Sequence, residues 1–264
     1  MQLSFSKYQG TGNDFILIDN RNGVFPKLDA TARQTLIARL CHRRFGIGAD
    51  GLMLLQSHDL YNFEMIYFNA DGNPSSMCGN GGRCIMAFAH RLGVVGREAK
   101  FLAVDGEHAA YIDASGAVSL QMQDVASYQL VDTQCILNTG SPHFVQFVDN
   151  VAQIDVAAQG RTIRNSDAFR AEGINVNFVQ PKDNQLLVAT YERGVEDETW
   201  SCGTGVTAAA LAHHLRTQAT SPVAIATKGG NLSVSFEFAN GSFTNIWLSG
   251  GAEFIFEGTI TVTE

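Results

Sequence analysis

The chain has 264 residues and a formal net charge of −8, and 45% of its residues are hydrophobic and 17% charged. This composition is typical of a globular protein and excludes a disordered chain, while the negative charge argues against nucleic acid as a partner. No apolar run approaches the roughly 18 residues of a membrane span, and residues 1–5 lack the features of a secretory signal. We therefore expect a cytoplasmic protein without a membrane or nucleic-acid partner.

The cysteines stand at positions 41, 78, 84, 135 and 202. An odd number without a secretory signal is typical of reduced thiols rather than of a disulfide framework. Cys41, Cys84 and Cys135 lie in apolar segments and are interpreted as core residues. No Cys/His cluster has zinc spacing, and the adjacent His213 and His214 would point about 100° apart on a helix. No lysine stands in a pyridoxal-type context, so the sequence predicts neither a metal nor a cofactor.

Apolar periodicity predicts several elements in chain order. Residues 31–41 are predicted to form a helix with its apolar residues on one side. Alternation of β-branched and aromatic residues predicts strands at 63–68, 186–191, 232–238 and 254–263. The segments after Cys78 and Cys202 are rich in Ala, Met and Leu and apolar nearly all round, which is typical of buried helices.

The two halves of the chain repeat each other. A Cys-Gly-x-Gly motif opens the apolar helix at Cys78 and again at Cys202, 124 positions later. The segment 11–20 resembles 139–150 at nearly the same offset. Two copies are too few for a solenoid, so the pattern favours a pair of similar domains. We predict an α+β fold of two pseudo-symmetric domains, each a mixed sheet wrapped around a central helix, with the boundary near Gly116.

A cysteine at the start of a helix has a particular chemistry. The first turn carries N–H groups without a helical partner, and the helix dipole adds partial positive charge there. Both stabilise a thiolate, and the same N–H groups can hold a carboxylate. One such cysteine is a weak signal, but two at equivalent places predict an acid–base pair in the cleft between the domains. One thiolate would remove a proton from a carbon and the other thiol would return one to the opposite face.

Several motifs together carry a resemblance to one family, and they lie at residues 10–15, 46–51, 68–72, 77–81, 140–143, 175, 191–194 and 201–205. On these motifs the chain resembles the diaminopimelate epimerases, cofactor-independent enzymes that interconvert LL- and meso-diaminopimelate for lysine and cell-wall precursor synthesis. The resemblance covers nearly the full chain. It implies a homodimer and two domains with barrel-like sheets, 1–116 joined by the returning segment 253–264, and 117–252, with the active site in the cleft between them.

The resemblance also implies roles for individual residues. Cys78 and Cys202 would be the two acid–base thiols, and the residues that would cradle the reacting carboxylate are Gly79, Asn80, Gly203 and Thr204. The residues that would bind the two amino acid ends of the substrate are Asn13, Asn69, Asn175, Glu192 and Arg193. His143 and Glu192 would tune the thiols. Family members often carry Asn and Gln where this chain has Ser141 and Gly51.

Three other functions compete with this interpretation. Proline and hydroxyproline racemases share the paired motif, but they typically have His where Asn80 stands and need no second amino acid end. The segment 191–194, with Asn69 and Asn175, therefore favours diaminopimelate. A binding protein that had lost its thiols would not keep both cysteines. A redox sensor would work by forming a disulfide bridge between them, whereas oxidation of an epimerase would only inactivate it.

Overall fold

The structure, a computed structural model, describes residues 1–75 and 77–262. It has the predicted α+β fold, and the chain divides into two compact units. The first unit comprises Met1–Leu120 and the segment from Gly251 onward, and the second comprises Gln121–Gly250.

The first unit is a mixed sheet with two helices, α1 (Ala30–Cys41) and α2 (Gly79–Arg91). Its strands are β1 (Gln2–Gly10), β2 (Asn13–Asp19), β3 (Gly51–Gln56), β4 (Phe63–Asn69), β5 (Glu98–Ala103), β6 (Gly106–Ile112), β7 (Val118–Gln121) and β17 (Glu253–Thr261). They pair in the order β17-β1-β2-β3-β4-β5-β6-β7, with β2/β3 and β4/β5 parallel and the other pairs antiparallel. The predicted strand 254–263 corresponds to β17, and its predicted end at Thr263 lies outside the described residues.

The second unit holds a short 3₁₀ turn (Val151–Gln153) and two helices, α3 (Val156–Arg164) and α4 (Gly203–Thr217). Its strands are β8 (Tyr128–Val131), β9 (Gln134–Asn138), β10 (Pro142–Phe147), β11 (Asn175–Lys182), β12 (Gln185–Glu192), β13 (Asp197–Thr199), β14 (Val223–Thr227), β15 (Gly230–Ala239) and β16 (Ser242–Gly250). The order is β8-β9-β10-β11-β12-β14-β15-β16, and β13 pairs with β12 in addition.

The two units have the same topology. Along both orders the pairs run antiparallel, antiparallel, parallel, antiparallel, parallel, antiparallel and antiparallel. The predicted duplication is therefore confirmed at the level of strand pairing. The units differ in where the first strand of the order comes from. In the second unit this strand is β8, which also comes first in the sequence of that unit. In the first unit the equivalent place, beside β1, is taken by β17, which follows the whole second unit in the sequence.

Each unit has a central helix. Helix α2 packs against β1, β2, β3, β6 and β17, and α4 packs against every strand of the second order. A sheet whose separated strands all reach one helix curves around it, as the apolar composition of these helices predicts. The three cysteines interpreted as core residues, Cys41, Cys84 and Cys135, are buried. Burial raises the pKa of these thiols to about 12, 12 and 11 respectively, so they stay protonated at neutral pH.

Within the part of the chain that the structure describes, no helix is long and apolar enough to cross a membrane. The same residues contain no group of three or more His, Cys, Asp or Glu side chains placed to hold a metal ion. His213 and His214 lie on α4, where the His214 ring packs edge-on against Phe236, Phe238 and Phe243. His213 lies beside the Phe147 ring instead, so the two imidazoles have different neighbours on the helix.

Candidate active site

Both cysteines of the repeated motif stand immediately before a central helix. Cys78 is the N-cap of α2 with φ −116° and ψ 123°, and Cys202 is the N-cap of α4 with φ −116° and ψ 113°. Cys78 is half-buried, and 7% of Cys202 is exposed. The two residues therefore have the same backbone conformation at equivalent places in the duplicated fold. Each cysteine stands at a helix start, as predicted, and neither side chain makes a capping hydrogen bond to its helix.

In the first unit, Asn13 contacts the Cys78 thiol. Asn13 is the first residue of β2, and its Nδ2 donates to Asp50 Oδ2 at 2.6 Å. This bond directs Asn13 Oδ1 toward the thiol, which donates to it at an S–O distance of 3.7 Å. Arg43 binds both Asp50 and Asp14 at 2.7 Å, so the Asp50 carboxylate that orients Asn13 is itself held in place.

The first turn of α2 is held from the interior of the unit. Asn80 is 1% exposed, and its Oδ1 accepts hydrogen bonds from Arg83 at 3.0 Å and from the Thr11 hydroxyl at 3.3 Å. These bonds hold the Asn80 side chain in the interior, and the backbone N–H groups of Gly79 and Asn80 belong to the first helical turn, whose N–H groups have no partner within the helix.

In the second unit, a chain of hydrogen bonds leads to the Cys202 thiol. Asn177 Nδ2 donates to the Phe144 carbonyl at 3.2 Å, which fixes the amide orientation because a carbonyl only accepts. The same Nδ2 lies 2.9 Å from His143 Nδ1, so that ring nitrogen is the acceptor and Nε2 carries the proton. His143 Nε2 then donates to Thr204 Oγ1 at 2.8 Å, and Thr204 Oγ1 lies 3.5 Å from Cys202 Sγ. Either atom of the Cys202–Thr204 contact can be the donor, so the Thr204 hydroxyl is placed to donate to the sulfur when Cys202 is a thiolate and to accept from it when Cys202 is a thiol.

The ring of His143 is neutral. It is fully buried on β10, and burial, aided by the positive charge of Arg193, lowers the pKa of His143 to about 3. The imidazole therefore acts on Cys202 through an oriented N–H group and Thr204, and not as a cation. The sequence predicted that His143 tunes a thiol, and this contact supplies a physical route to Cys202.

Asn175 and Arg193 lie together. Asn175 opens β11, and its Oδ1 accepts from the backbone N–H of Arg193 at 2.8 Å. The Asn175 Nδ2 donates to the Ser141 hydroxyl at 2.8 Å. The Arg193 side chain is exposed, and one of its nitrogens donates to the Glu172 carbonyl at 2.9 Å. Asn175 thus positions the backbone that carries Arg193, and Ser141 positions Asn175.

Asn69 and Glu192 are the last residues of β4 and β12, which occupy equivalent places in the two sheets. Asn69 is exposed, and within residues 1–75 and 77–262 its hydrogen bonds are made by its backbone, to Asn73 and Gly72. Glu192 is half-buried. Both side chains stand at strand ends, which suits a binding role, but these contacts do not bring Asn69 to the Cys78 thiol.

Three residues around the two cysteines were not predicted from the sequence: Asn177, Thr190 and Arg83. Thr190 donates to Asn177 Oδ1 at 2.9 Å and so supports the same amide orientation as Phe144. Asn177 follows Asn175 by two positions in the apolar first part of β11, and a polar residue there signals a buried hydrogen-bonding role. Arg83 was detectable in the same way, as a charged residue inside a helix predicted to be buried.

Solved structures show which class of protein this fold defines. The chain superposes on a PhzF-family phenazine biosynthesis protein from Bacillus anthracis with a TM-score of 0.75 at 11% identity, covering 99% of this chain and 100% of that one. It also superposes on a hydroxyproline epimerase from Agrobacterium vitis with a TM-score of 0.66 at 13% identity, covering 98% and 92%. The fold is therefore the duplicated α+β fold shared by PhzF proteins and proline racemases.

Sequence comparison shows the family within this class. A sequence model described as diaminopimelate epimerase matches residues 5–127 and 135–254. The diaminopimelate epimerase of Flavobacterium psychrophilum is 52% identical over 260 residues, covering 98% of this chain and 100% of the relative. That of Chlorobaculum tepidum is 41% identical over 263 residues, covering 96% and 99%. The chain belongs to the diaminopimelate epimerase family, and the resemblance predicted from its motifs is confirmed.

Proposed function

We propose that the protein converts LL-2,6-diaminopimelate into its meso isomer, and the reverse, with Cys78 and Cys202 as the acid–base pair and without a cofactor. The observation that carries the proposal is the identical N-cap placement of the two cysteines in duplicated units of a chain from this family. We further propose that the two units are the two domains of the enzyme.

The reaction needs one proton removed and one returned. The thiolate of one cysteine takes the α-proton, and the S–H of the other gives its proton to the opposite face of the same carbon. The net proton count is unchanged, and the roles of the two sulfurs exchange in the reverse direction. As the α-carbon loses its proton, negative charge grows on the carboxylate. The N–H groups of Gly79–Asn80 and Gly203–Thr204 would stabilise that charge.

The far end of the substrate carries a second ammonium and carboxylate. Arg193 would bind the carboxylate with its forked guanidinium, and Glu192 would bind the ammonium. Asn13, Asn69 and Asn175 would supply neutral donors and acceptors. The support for Arg193 is its exposed side chain, together with the bond by which Asn175 holds its backbone.

The test is solvent deuterium incorporation at the α-carbon of LL-diaminopimelate, followed together with formation of the meso isomer. Cys78→Ala and Cys202→Ala should each lower epimerisation by far more than about tenfold, which would be only about 1.4 kcal/mol of barrier. Cys41→Ala is the matched control because that thiol is buried and protonated at the end of α1.

Two results would contradict the proposal. Epimerisation by either thiol variant within tenfold of the unmodified enzyme would exclude the two-thiol mechanism. Racemisation of proline as fast as that of diaminopimelate would instead assign the protein to the racemases whose fold it shares. Retained epimerisation by Cys41→Ala would show that replacing a cysteine with alanine does not by itself lower the activity.

We also propose a cytoplasmic homodimer. All five cysteines are free thiols, which a reducing compartment preserves. Support for a dimer comes from β17, where Phe254, Ile255 and Phe256 are consecutive and 39%, 50% and 44% exposed. Contiguous exposed apolar residues of this kind are typical of protein–protein interfaces.

A further inference from the structure

Arg83 is a fully buried guanidinium in the second turn of α2, directly behind the Cys-Gly-Asn-Gly segment. It is among the largest side chains that are completely buried. Its nitrogens donate to Asn80 Oδ1 at 3.0 Å, to Thr11 Oγ1 at 3.1 Å, to the Gly79 carbonyl at 3.3 Å and to the Gly251 carbonyl at 3.5 Å. Every one of these acceptors is neutral. Among the described residues, no carboxylate contacts this buried cation.

The absence of a carboxylate is particular to Arg83. Lys7, the other buried cation of this unit, has Asp14 at 2.8 Å. The titratable side chains on the strands that pack against α2 are Lys7, Tyr8, Asp14, Asp19, Glu107, His108, Tyr111, Glu253 and Glu257. The carboxylates of this set bind elsewhere, to Lys7, Arg43, Arg21, Lys100, Gln9 and Arg91. Within α2 itself, the ionisable groups that interact with Arg83 are Cys78 and Cys84.

A buried cation without a counter-ion is strongly unfavourable, and an anion that forms close to it would offset that penalty. Burial lowers the pKa of Arg83, yet a guanidinium keeps its proton at neutral pH. Burial also keeps the neighbouring Cys84 protonated, with a pKa raised to about 12. Two anions are left that can balance the charge of Arg83. One is the thiolate of Cys78, and the other is a substrate carboxylate bound at the first turn of α2.

The second unit has no such charge at the equivalent position. Thr207 stands five residues after Cys202, as Arg83 stands five residues after Cys78. The Thr207 hydroxyl donates to the Gly203 carbonyl within its own helix at 2.9 Å. Cys202 instead has the oriented and neutral chain through Thr204 and His143. The surroundings of Cys78 and Cys202 therefore differ, with a buried cation behind the first and neutral hydrogen-bonding groups behind the second.

We propose that Arg83 is a positioning residue of the active site, which holds the Gly79–Asn80 turn in shape and supplies the positive charge that stabilises the Cys78 thiolate and the reacting carboxylate. This rests on the proposed function, in which Cys78 is one of the two bases. The guanidinium fork explains the geometry, because one planar group bonds to Thr11, Asn80 and the Gly79 carbonyl together. Arg83 contacts no reacting atom. It acts by holding the Gly79–Asn80 turn in shape and through the electrostatic field of its guanidinium charge.

The experiment measures the rate of iodoacetamide alkylation of Cys78 and of Cys202 against pH, without substrate, by mass spectrometry of the labelled peptides. Arg83→Gln removes the charge and keeps an amide that can donate hydrogen bonds. Arg83→Lys keeps the charge and loses the fork. Thr207→Val is the matched control on α4. An opposite charge nearby typically shifts a pKa by about 1–3 units.

We expect Arg83→Gln to move the alkylation midpoint of Cys78 upward by at least about one pH unit, which makes labelling about tenfold slower below that midpoint. The Cys202 profile should not move. Arg83→Lys should leave the Cys78 midpoint in place but raise KM for diaminopimelate more than it lowers kcat. Thr207→Val should leave the Cys78 profile unchanged.

An unchanged Cys78 profile in folded Arg83→Gln would overturn the electrostatic role, and equal movement of both cysteines would show a general structural effect instead. If Arg83→Gln does not fold, Arg83→Lys decides, and unaltered KM and kcat there would overturn the positioning role. Because alkylation needs no substrate, a protein that shows the predicted profiles but does not epimerise diaminopimelate would refute only the proposed function.

Discussion

At the scale of single residues, His143 shows how burial sets chemistry. Its pKa is lowered to about 3, so the ring is neutral throughout the physiological range. Two fixed partners, Asn177 on one nitrogen and Thr204 on the other, then determine which nitrogen carries the proton. A charged imidazole would donate from both nitrogens and would clash with the Asn177 donor. The neutral state is therefore part of the hydrogen-bond chain that leads to Cys202.

This burial predicts a pH dependence of stability. An unfolded histidine has a pKa of about 6.5, so between pH 6.5 and 3 the unfolded state binds a proton that the folded state does not. The free energy of unfolding should fall as the pH drops through that window, by up to about 1.4 kcal/mol per pH unit, and this contribution is complete above pH 6.5. Urea unfolding at pH 4.5, 5.5 and 8 measures it.

His143→Gln removes the titrating group, so its unfolding free energy should change less steeply with pH than that of the unmodified protein. The difference between the two slopes isolates His143, because His213, whose pKa burial also lowers, is present in both proteins. Parallel curves for the two proteins between pH 4.5 and 8 would contradict the assignment.

At the scale of elements, the first turns of α2 and α4 share a sequence motif but differ in their surroundings. A side-chain carbon at Gly205 would overlap Asn177 Oδ1, and one at Gly81 would overlap the terminal methyl of Met53. The Met53 methyl ends a flexible chain and can move. Asn177 is fully buried and is held by Thr190 and by the Phe144 carbonyl. The first turn of α4 therefore tolerates less change than the first turn of α2.

We predict that Gly205→Ala lowers kcat/KM for diaminopimelate by more than about tenfold and destabilises the protein, whereas Gly81→Ala costs less than about threefold. Alanine is favoured over glycine within a helix by up to about 1 kcal/mol at both positions, so the comparison isolates the overlap. Unfolding free energies and kinetic constants of the two variants supply the measurement. Equal effects of the two substitutions would show that Asn177 is free to shift.

At the scale of the whole molecule, strand β17 pairs with strand β1, although the two lie at opposite ends of the sequence. Strand β17 pairs with β1 from Gln2 to Gln9 and completes the first sheet, where it takes the place that β8 has in the second. The rings of Phe256 and Phe254 on β17 pack edge-on against Phe5 and Tyr8 respectively. The remaining exposed apolar surface of β17 is the support for a homodimer.

For the proposed dimer we predict that Ile255→Glu weakens self-association, because a carboxylate buried in an apolar interface is strongly unfavourable. Leu60→Glu is the control, since Leu60 is 87% exposed as an isolated apolar residue in a loop. Light scattering coupled to size exclusion should give a dimer for the unmodified protein and for Leu60→Glu, and a lower mass for Ile255→Glu. A dimer of unaltered stability in Ile255→Glu would place the interface elsewhere.

Prediction from the sequence succeeded where the signal is local. The helix 31–41 and the strands at 63–68, 186–191 and 232–238 follow from apolar periodicity, and they lie within α1, β4, β12 and β15. Strands β8 and β13 have only four and three residues and no buried residue, so neither shows the alternation of buried and exposed positions that predicts a strand. They form because a neighbouring strand supplies hydrogen bonds, and a single strand's residues do not encode that partner.

The duplication, the family and the placement of Cys78 and Cys202 at helix starts could be predicted from the sequence alone, because the repeated Cys-Gly-x-Gly motif and the apolar segment that follows it are local signals. The tertiary structure was needed to show that Arg83 is buried with no carboxylate beside it among the described residues, and that Asn177 sets the tautomer of His143. Each of these features depends on partners far away in the chain, such as Thr11 for Arg83 and Phe144 for Asn177. Which distant groups meet is decided by the packing of the whole unit, since the free energy of a buried polar group depends on the partners that folding brings to it.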